Sequence, residues 1–175
     1  YGLYVLTAKD GDKDNGCIVN TVMQITDSPL RICVCVNKEN YTHDMIMKTK
    51  KFNVSVIDEK ADFEMFKRFG FESGKNTDKF EGFNSYKRSE NGILYITESC
   101  NAYISGDVIK AEDFGTHTIF VADVAGCEII AEETSVTYDY YFKNIKPQAN
   151  KEKKGYVCKI CGYVYEGDPL PEDFI

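Results

Sequence analysis

Short apolar, β-rich runs separated by turn residues dominate the first half of the chain, and they constrain its fold more than any other feature. The runs Leu3–Ala8 and Cys17–Ile25 flank a polar stretch, Lys9–Gly16, that contains the turn pairs Asp10-Gly11 and Asn15-Gly16. Turn residues between two such runs predict a β-hairpin, here with a loop longer than two residues.

The strand pattern continues beyond this hairpin. Asp27-Ser28-Pro29 breaks it, and Leu30–Val36 is then almost continuously apolar. Such a run is typical of a strand that is buried on both faces or lies inside a barrel. Further strands are predicted at Phe52–Ile57, Leu94–Ile104 and His117–Ile130.

Two segments show helical patterning instead. Thr42 can cap a first helix, with Asp44 in the first turn, where the helix dipole favours a negative charge. A second, shorter helix is predicted at Asp62–Phe69, with phenylalanines on its inner face. Many short strands with few helices predict a mainly β fold, a closed antiparallel barrel with short helical inserts.

The C-terminal part differs in composition and predicts a separate unit. Residues 146–155 are rich in lysine and contain Pro147, which is typical of a linker. We therefore expect a barrel domain at 1–145, a linker at 146–155 and a small second unit at 156–175.

Charge and composition exclude several classes of partner. The formal net charge of −7 argues against a nucleic-acid surface. No apolar run approaches the roughly 20 residues that span a bilayer, so no membrane partner is expected. The chain begins at Tyr1 without a basic segment, which predicts no signal peptide and suggests that Tyr1 is not the native start.

Cysteine usage predicts a reducing cytoplasmic location. The chain has seven cysteines, an odd number without a disulfide framework. Five are scattered and are expected to be small buried hydrophobic residues: Cys17, Cys33, Cys35, Cys100 and Cys127. Cys33 and Cys35 should face the same side of their strand.

Four segments resemble, in order along the chain, the strand–loop–strand, the phosphate loop and two further landmarks of the flavin reductase family: Asn15–Leu30, Val36–His43, Asp78–Phe80 and His117–Phe120. The resemblance covers most of residues 1–145. Ala122 departs from the pattern, because a glycine is common there in the family. The resemblance implies an antiparallel split β-barrel that binds FMN and forms a homodimer with each flavin close to the subunit boundary.

The phosphate of FMN needs N–H donors and positive charge. Asn37, Lys38 and the N-terminus of the helix that opens at Thr42 would supply both, and Tyr41 belongs to the same loop. Lys79 would add a second positive charge. The alternative is that Thr42 only caps a helix and that Lys38 is solvated.

The isoalloxazine ring needs donors near its N5 and O4 atoms. In the resembled family these come largely from the backbone after the second strand, here Asn20, Thr21 and Val22, where they raise the reduction potential of the flavin. His117 matches a histidine that the family places near the ring or the nicotinamide, so it is the candidate catalytic residue. A structural role is the alternative for His117, and His43 is predicted to lie on the surface.

The last segment contains a candidate metal site. Tyr156–Tyr165 holds Cys158 and Cys161 in CxxC spacing, followed by Gly162, and resembles the first knuckle of rubredoxin. A tetrathiolate iron site needs two more cysteines. Because Glu166–Ile175 resembles the approach to the second knuckle, we expect a second pair beyond it and a truncated sequence here. A zinc ribbon and a redox dithiol are alternatives, the latter disfavoured because no βαβ pattern surrounds the pair.

The combination resembles the high-molecular-weight rubredoxins and predicts electron transfer between FMN in the barrel and iron in the tail. The expected donor is an NAD(P)H-dependent reductase, and the expected acceptor is an oxygen- or peroxide-reducing enzyme. One alternative is an NAD(P)H:flavin oxidoreductase with a structural zinc ribbon, and another is a non-enzymatic flavin- or zinc-binding module. No G-x-G-x-x-G pattern is present, so a nicotinamide would bind against the flavin.

Overall fold

The computed structural model describes residues 1–147 and, beyond them, two short strands at 156–157 and 164–165. The strands of the first stretch are β1 (Tyr4–Asp10), β2 (Lys13–Val19), β3 (Val22–Asp27), β4 (Leu30–Asn37), β5 (Lys51–Ile57), β6 (Tyr86–Arg88), β7 (Leu94–Ile96), β8 (Cys100–Asp113) and β9 (His117–Ile129). The helices are α1 (Tyr41–Thr49), α2 (Phe63–Phe66) and α3 (Tyr138–Tyr140), and π-helical turns at Lys67–Phe71 and Tyr141–Ile145 continue α2 and α3. The later pair is antiparallel and consists of β10 (Tyr156–Val157) and β11 (Val164–Tyr165).

Seven strands form one antiparallel sheet in the order β2-β1-β5-β8-β9-β4-β3. β2 and β3 are the two edges of this sheet, yet only Asn20 and Thr21 separate them in the chain. The sheet therefore rolls until its edges approach, and the N–H of Cys35 in β4 donates to the carbonyl of Thr21 at 3.3 Å. The predicted mainly β fold, an antiparallel split barrel with short helical inserts, is confirmed.

Alternating side chains on the central strands divide the core into two apolar clusters. Leu6 of β1 and Phe52 of β5 face the barrel interior, where Met45 and Ile46 of α1 join them. Val5 of β1 belongs to a second cluster outside the barrel, formed with α2 and the π-helical turns. Because apolar side chains cover both faces of β1, that strand is fixed firmly, and α1 packs on the interior cluster close to β1 and β2.

The departure at Ala122 is accommodated within the barrel interior. Ala122 is fully buried beside Phe120. The neighbouring strand has Gly106, where a Cβ atom would lie 2.6 Å from Cζ of Phe52 and 3.0 Å from Cβ of Ala122. Gly106 therefore supplies the space that the alanine methyl group and the phenyl ring occupy.

The first hairpin differs from the prediction, which expected a longer loop. A two-residue turn, Gly11-Asp12, joins β1 to β2, and Gly11 has a φ of +58°, as such a turn requires. The polar residues after the turn extend β2 instead, because the structure gives them partners such as Thr42 for Asn15. The predicted strand Cys17–Ile25 is likewise two strands, β2 and β3.

Of the two predicted alternatives for β4, a strand buried on both faces or a strand of a barrel, the structure has the second, with one face buried. Ile32, Val34 and Val36 point into the barrel, and Cys33 and Cys35 lie half-buried on the outer face. The same-side prediction for these two cysteines is thus confirmed, but the prediction that they are buried is wrong.

The other scattered cysteines also divide. Cys17 and Cys100 are buried, as predicted, whereas Cys127 is exposed. Cys127 lies near the end of β9, where the strand extends beyond the interior cluster. In the described parts of the chain, no helix is long and apolar enough to span a bilayer.

Both predicted helices exist, with different ends. The N-cap of α1 is Asn40, and Thr42 lies inside the first turn, so the prediction that Thr42 caps the helix is wrong. α2 begins after Asp62, whose carboxylate accepts from the N–H of Met65 at 3.2 Å. It covers only one turn before it continues as the π-helical turn.

Candidate functional site

A polar cavity of about 250 Å³ lies where β2, the N-terminus of α1 and the loop that follows α2 meet. Four residues predicted as cofactor ligands line it: Asn37, Tyr41, Thr42 and Lys79. They come from the end of β4, the first turn of α1 and the segment after the loop, so the fold brings together residues that are distant in sequence.

The N-terminus of α1 presents free backbone donors to this cavity. The side chain of the N-cap, Asn40, makes no capping hydrogen bond. Within the described residues, the N–H groups of Tyr41 and Thr42 have no hydrogen-bond acceptor, whereas the N–H of His43 donates to the carbonyl of Asn40 at 2.9 Å. Free donors at the positive end of a helix dipole favour an anion.

Lys79 adds a buried positive charge. Its side chain is almost fully enclosed, and Nζ donates to the carbonyls of Gly16 at 2.9 Å and Phe69 at 3.1 Å. Burial lowers the pKa of Lys79, and the charges of Cys17 and Glu72 partly oppose this shift. Among the described residues no carboxylate forms a salt bridge with it. A buried ammonium without a direct salt bridge is costly unless a ligand neutralises it.

Lys38 is placed differently. Its Nζ lies 2.6 and 2.5 Å from the two carboxylate oxygens of Asp113, and this hydrogen bond is the main cause of the lowered pKa of Asp113. The side chain is partly exposed and is not among the residues that line the cavity. The backbone of Lys38 therefore lies beside the cavity, between Asn37 and Glu39, whereas its ammonium forms a salt bridge with Asp113.

The segment predicted to face the flavin ring is the link between β2 and β3. Oγ1 of Thr21 donates to the carbonyl of Cys35 at 2.7 Å, and Val22 packs against the interior cluster. Thr21 is exposed and Asn20 partly buried, so this link offers an accessible backbone at one edge of the barrel. It follows Cys17, which lines the cavity, by three residues along the chain.

His117 begins β9 directly opposite Asn37 of β4. Its Nδ1 lies 2.9 Å from Oγ1 of Thr116, and the ring is partly buried. His117 does not line the cavity itself, but the strand register places it beside the loop that does.

His43 is buried, so its predicted surface position is wrong. Only 7% of the residue is exposed, and Nε2 lies 2.9 Å from Oγ1 of Thr118 on β9. Its ring centroid lies 5.5 Å from that of Phe120. The helix packs on the barrel through this face, a tertiary contact that the local sequence does not reveal.

Sequence reasoning did not propose Asn15, Gly74 or Cys17 as residues of the cavity. Asn15 is 2% exposed and its Nδ2 donates to Oγ1 of Thr42 at 3.0 Å. Gly74, in the loop, lies so close that a Cβ atom there would be 2.0 Å from Oδ1 of Asn15. Burial raises the pKa of the Cys17 thiol, and the Thr42 hydroxyl and Lys79 lower it in part. For Asn15, the signal in the sequence was an uncharged polar residue shortly before the apolar end of a strand, Cys17–Val19.

The predicted metal ligands Cys158 and Cys161 lie outside the described residues. The short strands β10 and β11 flank them in sequence and pair Tyr156 with Tyr165 and Val157 with Val164. Over the part that the structure describes, no group of three or more metal-binding side chains occurs.

Comparison with known proteins agrees with this architecture. Residues 1–147 match the family described as flavin reductase like domain. The high molecular weight rubredoxin of Moorella thermoacetica is 38% identical over 205 aligned positions, which cover 99% of this chain and 89% of that protein. The ferric-chelate reductase (NAD(P)H) of Archaeoglobus fulgidus is 38% identical over 142 positions, which cover 81% of this chain and 83% of that protein.

Solved structures share the fold. The NADH:FAD oxidoreductase SgcE6 of Streptomyces globisporus aligns with a TM-score of 0.66 and 22% identity over 73% of this chain and 75% of its own. The flavoredoxin of Methanosarcina acetivorans aligns with a TM-score of 0.66 and 22% identity over 73% of this chain and 68% of its own. The family match, the sequence relatives and the shared fold agree, and the chain belongs to the flavin reductase-like family of flavin-dependent oxidoreductases.

Proposed function

We propose that the chain is an FMN-dependent electron-transfer protein, whose flavin domain passes electrons to or from a rubredoxin-type iron site and on to a redox partner. The observation that carries the flavin part is the buried Lys79 ammonium beside the open N-terminus of α1. Within the described residues no carboxylate forms a salt bridge with this ammonium, and the charge of Glu72 only partly offsets the effect of burial on its pKa. The 38% identity to a high molecular weight rubredoxin over 99% of this chain supports the iron part.

The cavity fits the phosphate end of FMN. Lys79 and the free N–H groups of Tyr41 and Thr42 supply charge and donors to the same space. The cavity volume of about 250 Å³ is below the roughly 300–1,000 Å³ of sites that enclose a drug-sized ligand. The phosphate and part of the ribityl chain would therefore be enclosed, with the ring against an open surface. Lys38, engaged by Asp113, would add positive charge from the side.

The ring would lie along the link between β2 and β3, at Asn20, Thr21 and Val22. Thr21 is held there by two hydrogen bonds with the backbone of Cys35, so the link is rigid enough to present fixed donors. A bound flavin supplies both two-electron and one-electron chemistry, and donors near the ring tune its potential. His117 would orient a substrate or hold a proton, since Thr116 occupies only its Nδ1.

The tail would supply the iron site. Cys158 and Cys161 are two of the four thiolates that such a site requires. In the proposed organisation, 1–145 is the flavin domain, 146–155 a linker and 156–175 part of a rubredoxin-like unit. A short linker raises the effective concentration of one redox centre near the other.

We propose a homodimer that forms through an outer apolar patch, defined as Met23, Cys33, Cys35, Ile119 and Val121. The strand register places Met23 beside Cys33 and Cys33 beside Val121, and Cys35 pairs with Ile119. Met23 is 60% exposed on an edge strand, a feature that proteins usually cover. The patch adjoins Thr21 through Cys35, which would place the ring near the subunit boundary.

The expected partners are an NAD(P)H-dependent reductase as donor and an oxygen- or peroxide-reducing enzyme as acceptor. The cytoplasm is the proposed location. All five cysteines of residues 1–147 are free, which suits a reducing compartment.

The test is the cofactor content of the protein expressed with its native termini in iron-replete, anaerobic medium. We expect one released FMN per chain after denaturation, together with iron held by thiolates. FAD as the main flavin, or no flavin, would contradict the flavin assignment. Zinc in place of iron would remove the iron site from the proposal and leave the flavin assignment intact.

An NAD(P)H:flavin oxidoreductase with a structural zinc ribbon is the second candidate. It is favoured by the 38% identity to a ferric-chelate reductase (NAD(P)H), whose alignment covers 81% of this chain. Rapid oxidation of NADH with freely exchanging flavin would support this candidate. Tight FMN with slow NADH oxidation would support electron transfer.

A further inference from the structure

We propose that Asn15 is a positioning residue that clasps the phosphate cavity and sets the affinity of the protein for phosphate-bearing flavin over riboflavin. The inference rests on the proposed FMN function and extends it to a residue that makes the cavity rigid. Asn15 lies on β2, is 2% exposed and contacts the two other walls of the cavity.

The first contact fixes the helix. Nδ2 of Asn15 donates to Oγ1 of Thr42 at 3.0 Å, and both residues line the cavity. Thr42 is fully buried in the first turn of α1, whose free N–H groups face the proposed phosphate. The hydrogen bond therefore ties those donors to β2.

The second contact fixes the loop. At Gly74, a Cβ atom would lie 2.0 Å from Oδ1, 2.4 Å from Cγ and 2.6 Å from Nδ2 of Asn15. The backbone of Gly74 is not in the left-handed region, so glycine is required there for space and not for conformation. The loop thus packs directly on the amide of Asn15.

The same strand segment also positions the buried charge. Gly16, which follows Asn15, accepts a hydrogen bond from Nζ of Lys79 through its carbonyl at 2.9 Å. Two consecutive residues of β2, Asn15 and Gly16, therefore set the spacing between the Lys79 ammonium, the N-terminus of α1 and the loop. Donors that are already in place bind a phosphate without a further ordering cost.

The experiment measures the dissociation constants of FMN and riboflavin, by quenching of flavin fluorescence, for the wild type, Asn15→Ala, Gly74→Ala and the double variant. We expect Asn15→Ala to raise the dissociation constant of FMN by about tenfold, because the loss of one hydrogen bond leaves the N–H donors of α1 less firmly positioned. The dissociation constant of riboflavin, which lacks the phosphate, should change by less than about twofold. The riboflavin measurement separates a role at the phosphate from a general loss of structure.

The double variant tests the clasp directly. Gly74→Ala should weaken FMN in the wild-type background, because its methyl group displaces the Asn15 amide. It should have little further effect in Asn15→Ala, where that amide is absent. The matched control is Gly126→Ala, since no atom of the described residues lies within 4 Å of its Cβ position and its backbone is not left-handed.

A charge substitution gives a second readout. Asn15→Asp keeps the size of the side chain and adds a negative charge at the cavity, so it should weaken FMN more than Asn15→Ala does. Asn144→Asp adds the same charge at an exposed position away from the cavity and should leave FMN binding unchanged. Thermal melting of each apo variant identifies any that fail to fold.

The outcomes separate the two levels of the proposal. An unchanged FMN-to-riboflavin affinity ratio in Asn15→Ala, or additive effects of Asn15→Ala and Gly74→Ala, would overturn the clasp while FMN binding stands. A wild-type protein that binds neither flavin would overturn the proposed function itself.

Discussion

At the scale of single residues, Lys79 carries a charge that destabilises the apo protein and that an anionic ligand would compensate. Replacement by methionine keeps a similar length and removes the charge. We expect Lys79→Met to weaken FMN by about 10- to 100-fold, because it removes a charge-assisted contact. The free energy of unfolding of the apo protein should stay equal or rise, since the buried ammonium is no longer desolvated.

The pH dependence of stability provides an independent check on Lys79. Its pKa is lowered in the folded protein, so the folded state disfavours the proton. The cost is present below the folded pKa and disappears as the pH rises toward the unfolded value near 10.5. The stability advantage of Lys79→Met should therefore shrink at high pH. Lys38→Met is the matched control and should weaken FMN less, because Asp113 already engages that ammonium.

The residues of the site were predictable where their role is local. The resemblance of Val36–His43 to the family's phosphate loop, together with the helical pattern after it, allowed Asn37, Tyr41 and Thr42 to be proposed before the fold was known. Asn15 and Gly74 could not, because their role depends on contact between segments that are distant in the chain.

At the scale of elements, the edge strand β3 and its neighbours should mediate dimer formation. A lysine at Met23 and another at Val121 would place charges in the outer apolar patch, where association would desolvate them. We expect the double variant Met23→Lys, Val121→Lys to be monomeric at micromolar concentration, and the wild type to be a dimer. Size-exclusion chromatography with light scattering measures this directly.

The control for the patch is Ile129→Lys, since Ile129 is 78% exposed near the far end of β9 and outside the patch. That variant should remain a dimer. A monomeric wild type, or a double variant that still dimerises, would show that the outer apolar patch is not the interface.

The sequence predicts that a strand or helix exists more reliably than it predicts the residues at which that strand or helix begins and ends. Apolar period and turn residues predict the strands, but the polar start of β2 was assigned to a loop. Its side chains are satisfied by partners elsewhere, such as Thr42 for Asn15, and those partners are invisible to a local pattern. The helix α1 was predicted, but its N-cap is Asn40 and not the predicted Thr42.

At the scale of the whole molecule, the flavin domain should be independent of the tail. All the residues described for the two apolar clusters lie within 1–147. A chain that ends at Pro147 should keep its flavin, and its thermal midpoint should fall by no more than about 2–4 °C, equivalent to about 1 kcal/mol. Loss of flavin or a much larger fall would mean that the tail contributes to the barrel.

The fold of the barrel could be predicted because many local signals agree with one architecture. The tail could be proposed only from its CxxC motif and its flanking residues. Metal identity depends on the complete ligand set, which two cysteines do not specify.

The measurement that tests the central proposal most directly is anaerobic rapid mixing of the protein, expressed with its native termini, with a limiting reductant of the flavin. We predict that the iron–thiolate absorbance bleaches together with, or just after, reduction of the flavin. In Cys158→Ser the flavin should still be reduced and the iron signal should be absent, whereas Cys127→Ser, a change at an exposed cysteine of the barrel, should behave like the wild type. A reduced flavin beside an unchanged iron–thiolate signal in the wild type would contradict electron transfer between the two centres.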